Sequence, residues 1–264
     1  MLYRVPAIAA FALISLALTA CETRDAKMAV HANGRPAAAT AIPPTSSGVP
    51  PILLFNGTGT SANDVAAVET VLSDNHLSYA TADSSELNDM SEAQLTAYRL
   101  LIFPGGNFIT IGNNLRSSTT ASIHNAVRNG LNYLGICAGG FLAGSNGLNL
   151  ASGVQFGFYA DEDRGVRKTA VAIAVAGAPT LDHYWEDGPQ FAGWGAVVGK
   201  YPNGTPAIVE GTSGKGWVIL SGVHPEAPAS WRHGMTFTTP VSVDNAYAGT
   251  LIHAALNRTQ LPHY

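Results

Sequence analysis

Two short segments hold residue types that could carry out covalent chemistry. In Gly135-Ile136-Cys137-Ala138-Gly139-Gly140 an apolar run, Leu131 to Ile136, delivers a cysteine into a glycine-flanked turn that can open a helix. A sharp turn from strand to helix strains the backbone at its apex and needs small neighbours, which Gly135, Ala138, Gly139 and Gly140 supply. A thiol at such a helix start feels the positive end of the helix dipole, which favours the nucleophilic thiolate. The same segment also suits a buried, inert cysteine. The second segment, Gly222-Val223-His224-Pro225-Glu226, follows the apolar run Trp217 to Leu220. Residues two apart in extended chain point the same way, so His224 and Glu226 can converge, with Pro225 stiffening the link. An imidazole can take a thiol proton, and a carboxylate beside it fixes the tautomer and stabilises the cation. Alone, the triplet also reads as an exposed turn.

For these groups to meet, both must stand on the same rim of a sheet, and the pattern along the chain supplies that arrangement. Ile52 to Phe55, Leu77 to Ala82, Leu100 to Phe103 and Leu131 to Ile136 read as buried strands. Between them Ala62 to Leu72, with Ser61 or Asn63 as cap, Ser91 to Tyr98, and Ser118 to Asn129, closed by Gly130, carry helical periods. This alternation predicts an α/β fold with a mainly parallel sheet covered by helices on both faces, with ligands at the carboxyl ends of the strands. Cys137 and the glycine pair Gly105-Gly106 lie at such ends. The second half instead predicts antiparallel additions: Val154 to Tyr159, Ala170 to Val175, Ala196 to Tyr201, Ala207 to Glu210 and Trp217 to Leu220 are strands joined by turns. A last helix runs from about Asp244 to Leu256, with Ser242 or Asp244 as cap. His183 to Asp187 is a polar-aromatic cluster that either lines the cleft or, as its composition favours, forms a loop over the sheet.

Charged residues make up 12% of the chain and the formal net charge is −4, so there is no basic surface to neutralise phosphates, and nucleic acid is not an expected partner. No His-x-x-x-His or Cys-x-x-Cys spacing occurs, so neither a metal nor a cofactor is expected. The start of the chain is read apart from the fold. Arg4 precedes an apolar stretch, Val5 to Leu18, and Leu18-Thr19-Ala20-Cys21 closes it. This resembles a bacterial lipobox, which implies a signal peptide over residues 1–20, lipidation of Cys21, and a protein anchored to a membrane on the periplasmic side of the cell envelope. Residues 21–50, rich in Ala, Pro, Thr and Ser, read as a flexible tether. Cys137 is then the one remaining cysteine of two, without a disulfide partner in an oxidising compartment.

The cysteine turn and the His-Pro-Glu triplet, in this order at two strand ends, resemble the triad glutamine amidotransferase superfamily over roughly Pro51 to Leu256. That resemblance implies a flavodoxin-like three-layer sandwich over residues 51–264 and a triad: Cys137 as nucleophile, His224 as general base and acid, Glu226 as its partner. It also implies that the loop Phe103-Pro104-Gly105-Gly106, through Gly105 and Gly106, forms an oxyanion hole with the Ala138 amide. The segments Pro104-Gly105-Gly106, Tyr133 to Gly139 and Gly157-Phe158-Tyr159-Ala160 are most similar to the domain at the N-terminus of eukaryotic biotin-protein ligases; no counterpart of the ligase domain is present. Gly140-Phe141-Leu142-Ala143 stands where glutamine-using members carry a different, Gln-containing stretch, which disfavours free glutamine as substrate. The reading that follows is an extracytoplasmic hydrolase or acyl-transfer enzyme that cleaves a small-molecule or peptide amide through a thioester. The alternative is a catalytically silent binding or scaffold module.

Overall fold

The computed structural model describes residues 48–159, 165 and 167–264. The expected signal peptide, Cys21, nearly all of the expected tether, and Ala160 lie outside the described residues. Eleven strands and seven α-helices follow one another in the described part. The first half runs β1 (Ile52–Phe55), α1 (Ala62–Asp74), β2 (Tyr79–Ala82), α2 (Ser84–Asp89), α3 (Glu92–Leu95), β3 (Leu100–Phe103), α4 (Phe108–Asn113), α5 (Ser117–Asn129), β4 (Asn132–Ile136) and α6 (Ala138–Leu142). The second half runs β5 (Gln155–Phe158), β6 (Lys168–Val175), β7 (Leu181–Glu186), β8 (Pro189–Ala192), β9 (Ala196–Lys200), β10 (Pro206–Ser213), β11 (Gly216–Ser221) and α7 (Val241–Asn257).

Nine strands form one sheet in the order β2-β1-β3-β4-β11-β10-β9-β6-β7, and β5 and β8 make a separate hairpin. From β2 to β11 every pairing is parallel; from β11 outward every pairing is antiparallel. The change of pattern between the two halves of the sequence is thus a change of strand direction in one sheet. Parallel strands are covered on both faces and read as unbroken apolar runs, because successive side chains enter opposite layers. In β1, Ile52 and Leu54 join α1 and α7 in one core, while Leu53 and Phe55 join the core that holds α5 residues Ile123, Ala126 and Val127.

Local chemistry explains most of the element ends. Ser61 caps α1, accepting from the Asp64 amide, and Gly130 ends α5 with a φ of 128°. Asp83 and Glu86 form a capping box that starts α2, a helix the apolar period did not reveal. Two expectations are corrected. Neither Ser242 nor Asp244 caps α7; the helix starts after Pro240 with no side-chain cap. Asp244 is turned inward instead and pairs with Arg232 at 2.6 Å. The aromatic segment His183 to Glu186 is not a loop but most of β7, paired along its length with β6. Its side chains are nearly all buried, so the alternation that marks a half-exposed strand is missing.

Candidate active site

The register of β4 against β11 sets the geometry. Ser221 pairs with Ile136 across two adjacent parallel strands, and the Ser221 carbonyl accepts the Cys137 amide at 2.8 Å. The two expected segments therefore leave the sheet side by side on one rim. Cys137 sits at the turn into α6 with φ 49° and ψ −104°, a conformation that costs a non-glycine residue of order 1–3 kcal/mol. The turn is held by close packing that only glycine permits. A Cβ on Gly139 would lie 2.1 Å from the Phe103 carbonyl oxygen, and one on Gly135 would lie 2.4 Å from the Gly139 carbonyl oxygen. Tyr133 completes the clamp by donating to that same Gly139 oxygen at 2.7 Å. Burial drives the Tyr133 phenol well above its ordinary range, which keeps it a donor.

His224 and Glu226 converge as their spacing suggests: Nδ1 lies 2.9 Å from Glu226 Oε1, and both residues are almost fully buried. Burial alone would lower the proton affinity of the imidazole. The Glu226 carboxylate, the Cys137 sulfur and hydrogen bonds to both outweigh it and hold His224 well above the usual histidine range. The arrangement favours an imidazolium facing the sulfur. The Cys137 thiol is 7% exposed and donates to the Glu186 carbonyl at 3.6 Å.

That last contact comes from a strand that a flat sheet would put elsewhere. β7 stands four places beyond β11, about 19 Å away at the usual strand spacing. Yet the His224 amide donates to the Tyr184 carbonyl at 2.8 Å in an isolated bridge. The antiparallel half must therefore curl back, so that its edge strand closes over the rim of β11. The Tyr184 ring packs edge-on to His224 with centroids 5.9 Å apart, and Trp231 packs on both, 5.7 Å from His224 and 5.3 Å from Tyr184. Tyr184 also donates its hydroxyl to Glu186 Oε2. Tyr184 and Glu186 thus border the Cys137–His224 site. His183 points to the other face, where it stacks on Tyr247 and approaches Asp244.

The loop after β3 is zipped to the loop after β1: Ser61 donates to the Gly105 carbonyl at 3.1 Å, and Asn107 to the Gly59 carbonyl at 2.8 Å. Gly106 has φ 144° and faces the Gly59 carbonyl, where a Cβ would come within 2.3 Å. Among the described residues neither the Gly105 nor the Gly106 amide donates to a backbone carbonyl. The Ala138 amide, first in α6, has no acceptor within its helix. A Cβ on Gly105 would lie 2.7 Å from His224 Cε1 and 2.0 Å from Asp64 Oδ1, so the missing side chain makes room for both.

Asp64 is the residue that the sequence did not disclose. It lies in the first turn of α1, where an acidic residue is ordinary. Here it is buried, with Oδ1 3.3 Å from His224 Nδ1. Donor atoms of Asp64, His224 and Glu226 all lie within 4.8 Å of one another. Such spacing can accommodate a cation, but the imidazole contributes the nitrogen that both carboxyl groups already face, so a shared proton satisfies the cluster without one. A cleft of about 470 Å³ is lined by Asn56 to Thr60, Ala62, Val65 and Asp83, and another of about 300 Å³ lies between Asn75, at the far end of α1 from Asp64, and α7.

Comparison with known proteins gives one match to a family model and several likenesses of fold. Residues 51–155 match the family model for the N-terminal domain of biotin-protein ligase. The biotin-protein ligase of Schizosaccharomyces pombe is 27% identical over 162 residues, a match covering 49% of this chain and 26% of the ligase, so this chain spans about a quarter of that relative. A glutamine amidotransferase from Thermotoga maritima superposes with a TM-score of 0.55 at 12% identity, over 78% of this chain and 97% of the other. A putative GMP synthase component from Thermoplasma acidophilum gives 0.52 at 12% identity, over 79% and 96%. An exo-β-1,4-mannosidase from an Opitutaceae bacterium gives 0.51 at 13%, over 79% of this chain but 36% of the enzyme. Residues 51–155, which carry the glycine loop and the cysteine turn, are accordingly similar to the N-terminal domain of biotin-protein ligase, and the α/β fold as a whole is glutamine amidotransferase-like.

Proposed function

We propose that the protein is a cysteine-dependent amide hydrolase or acyl transferase of the amidotransferase-like class, with Cys137 as nucleophile, His224 as base and acid, and Glu226 as its partner. The observation that carries this reading is the strained Cys137 turn, with φ 49°, beside a buried His224–Glu226 pair at 2.9 Å. Sγ attacks the amide carbonyl as the thiolate of an ion pair in which His224 Nε2 already holds the thiol proton. The amides of Ala138 and of Gly105 or Gly106 receive the developing oxyanion. Collapse breaks the C–N bond, and the leaving amine takes the proton from His224. Water, deprotonated by the same imidazole, then opens the thioester and releases the acid and the free thiol. Attachment through a lipid on Cys21, and hence work on amides or peptides of the bacterial envelope from the periplasmic side, is part of the proposal and rests on the sequence of residues 1–21. Among the described residues no helix is long and apolar enough to cross a membrane.

The rival reading, a silent binding or scaffold module, is favoured by the low exposure of Cys137 and by its thiol being turned toward the Glu186 carbonyl. An activated ester separates the two. With p-nitrophenyl acetate, the enzyme reading expects a burst of nitrophenolate stoichiometric with protein and an acetyl group on Cys137 by mass spectrometry. Both should vanish in Cys137→Ser and fall steeply in His224→Ala. Absence of acylation at Cys137 in a folded protein would refute the enzyme reading.

A further inference from the structure

We propose that Asp64 is a positioning residue of this site: a second carboxyl group behind His224 that shares the Nδ1 side of the imidazole with Glu226 and sets how much negative charge stands behind the base. The inference rests on the Cys137–His224–Glu226 reading and adds a group from a distant segment to it.

Asp64 Oδ1 is 3.3 Å and Glu226 Oε1 2.9 Å from the same nitrogen, which carries one hydrogen. Both carboxyl groups are buried, and Glu226 Oε2 has no hydrogen-bond partner. Two carboxylates so close in a buried site do not both ionise freely, and they titrate as a pair. An ordinary first-turn aspartate stays in water, where the helix dipole favours its charge. Asp64 differs: burial raises its proton affinity, His224 lowers it, Glu226 raises it, the Ser61 hydroxyl lowers it, and Glu186 on β7 raises it, the balance being upward. Cys137 from the β4–α6 turn acts on the imidazole from its other side. Gly105 leaves the space in which Asp64 and His224 meet. While Asp64 keeps its proton it adds no charge behind His224. As pH rises, Asp64 releases its proton to solvent, and a second negative charge then strengthens the imidazolium that pairs with the Cys137 thiolate. No heavy-atom bond changes.

The test is the pH profile of iodoacetamide alkylation of the full chain in EDTA, read on the Cys137 peptide by mass spectrometry because Cys21 is a second cysteine. Asp64→Asn keeps the shape and cannot ionise. Its profile should coincide with wild type in acid and fall below it as Asp64 ionises, by about tenfold near neutrality if one unit of proton affinity is lost. A purely structural role would slow the reaction by a constant factor at every pH. In the unsubstituted chain, an inflection should lie above the ordinary aspartate range and move to lower pH in Glu226→Gln, which decides the matter should Asp64→Asn fail to fold. A profile for Asp64→Asn that matches wild type, or is offset equally throughout, while Glu226→Gln and His224→Ala alter theirs, would overturn the role of Asp64 and leave the triad standing. Indifference to His224→Ala and Glu226→Gln would overturn the triad reading, and this inference with it.

Discussion

The adjacent glycines of α6 offer a sharp test of how the cysteine turn is held. In Gly139→Ala the new Cβ would sit 2.1 Å from the Phe103 carbonyl oxygen and 2.8 Å from Phe103 Cβ. A carbon and a carbonyl oxygen normally meet at about 3.3 Å, so α6 must retreat from β3 by roughly 1.2 Å. The obstacle is the backbone of a central strand, which cannot rotate away. Overpacking of this kind costs about 1–3 kcal/mol, against which the alanine regains up to about 1 kcal/mol of backbone entropy. The net expectation is a loss of about 1–2 kcal/mol, or about 2–8 °C in Tm for a domain of this size. Gly140→Ala, one residue on, meets the Phe191 ring at 3.1 Å, the edge of Pro189 at 3.3 Å and, at an ordinary 3.4 Å, the Ser221 carbonyl oxygen. It should be within about 0.5 kcal/mol of wild type.

The functional consequence is larger than the thermodynamic one. Displacing the turn by about 1 Å shifts Cys137 against His224, and misplacement on that scale can cost on the order of 100-fold in rate. The assay pairs urea unfolding with the rate of Cys137 alkylation at neutral pH for both variants. Gly139→Ala should lose stability and reactivity together, and Gly140→Ala neither. A Gly139→Ala protein as stable and as reactive as wild type would refute the argument that contact with β3 holds the nucleophile in place.

Other predictions concern the surroundings of the site. Arg232 donates to Asp244 at 2.6 Å and to the Thr239 carbonyl at 2.9 Å, both partners buried; Arg232→Ala should cost about 3–5 kcal/mol in urea unfolding by leaving a buried carboxylate uncompensated, and Asp244→Asn should restore part of it. Because folding raises the proton affinity of His224, the stability it contributes is fully present below its unfolded value and is lost as pH rises through the raised folded one. The difference in stability between wild type and Glu226→Gln should therefore be greatest below the ordinary histidine range and shrink as pH rises through the raised value of His224; a gap that widens there would contradict the pairing. Tyr133→Phe removes the donor to the Gly139 carbonyl and should cost about 1–3 kcal/mol, with faster thermal inactivation as the readout.

The parallel half was legible because its strands are buried on both faces. Ile52–Phe55 and Leu100–Phe103 are unbroken apolar runs whose limits coincide with the strands, and Cys137 and His224 follow the last apolar residues of two others. The antiparallel half was less so. β7 carries His183, Tyr184 and Trp185 buried in succession, and its polar residues serve contacts that no local period encodes. Asp64 was hidden for a related reason. Its neighbours in sequence explain it fully as a first-turn acid, and only the approach of the β11 rim shows where its carboxyl group points.

The two halves of the chain divide the labour at the site unevenly. The segment that matches the family ends at residue 155, so it includes Cys137, the glycine loop and Asp64 but stops before β7 and His224. His224 and Glu226 come from beyond it, as do the Glu186 carbonyl and the aromatic wall of Tyr184 and Trp231. These groups reach the cysteine only because the antiparallel strands curl back on the parallel sheet. A chain could keep the matched half intact and be inert if the bridge from His224 to Tyr184 opened, since β7 would then withdraw both its carbonyls from the rim. The burial that closes this half also makes its charges costly. Glu226 keeps an unpaired oxygen, and Asp64 holds its proton more firmly than a surface acid would. Packing alone would favour amides at both positions. That the chain keeps two acids behind one imidazole is the physical reason for reading the cluster as proton chemistry rather than as a scaffold.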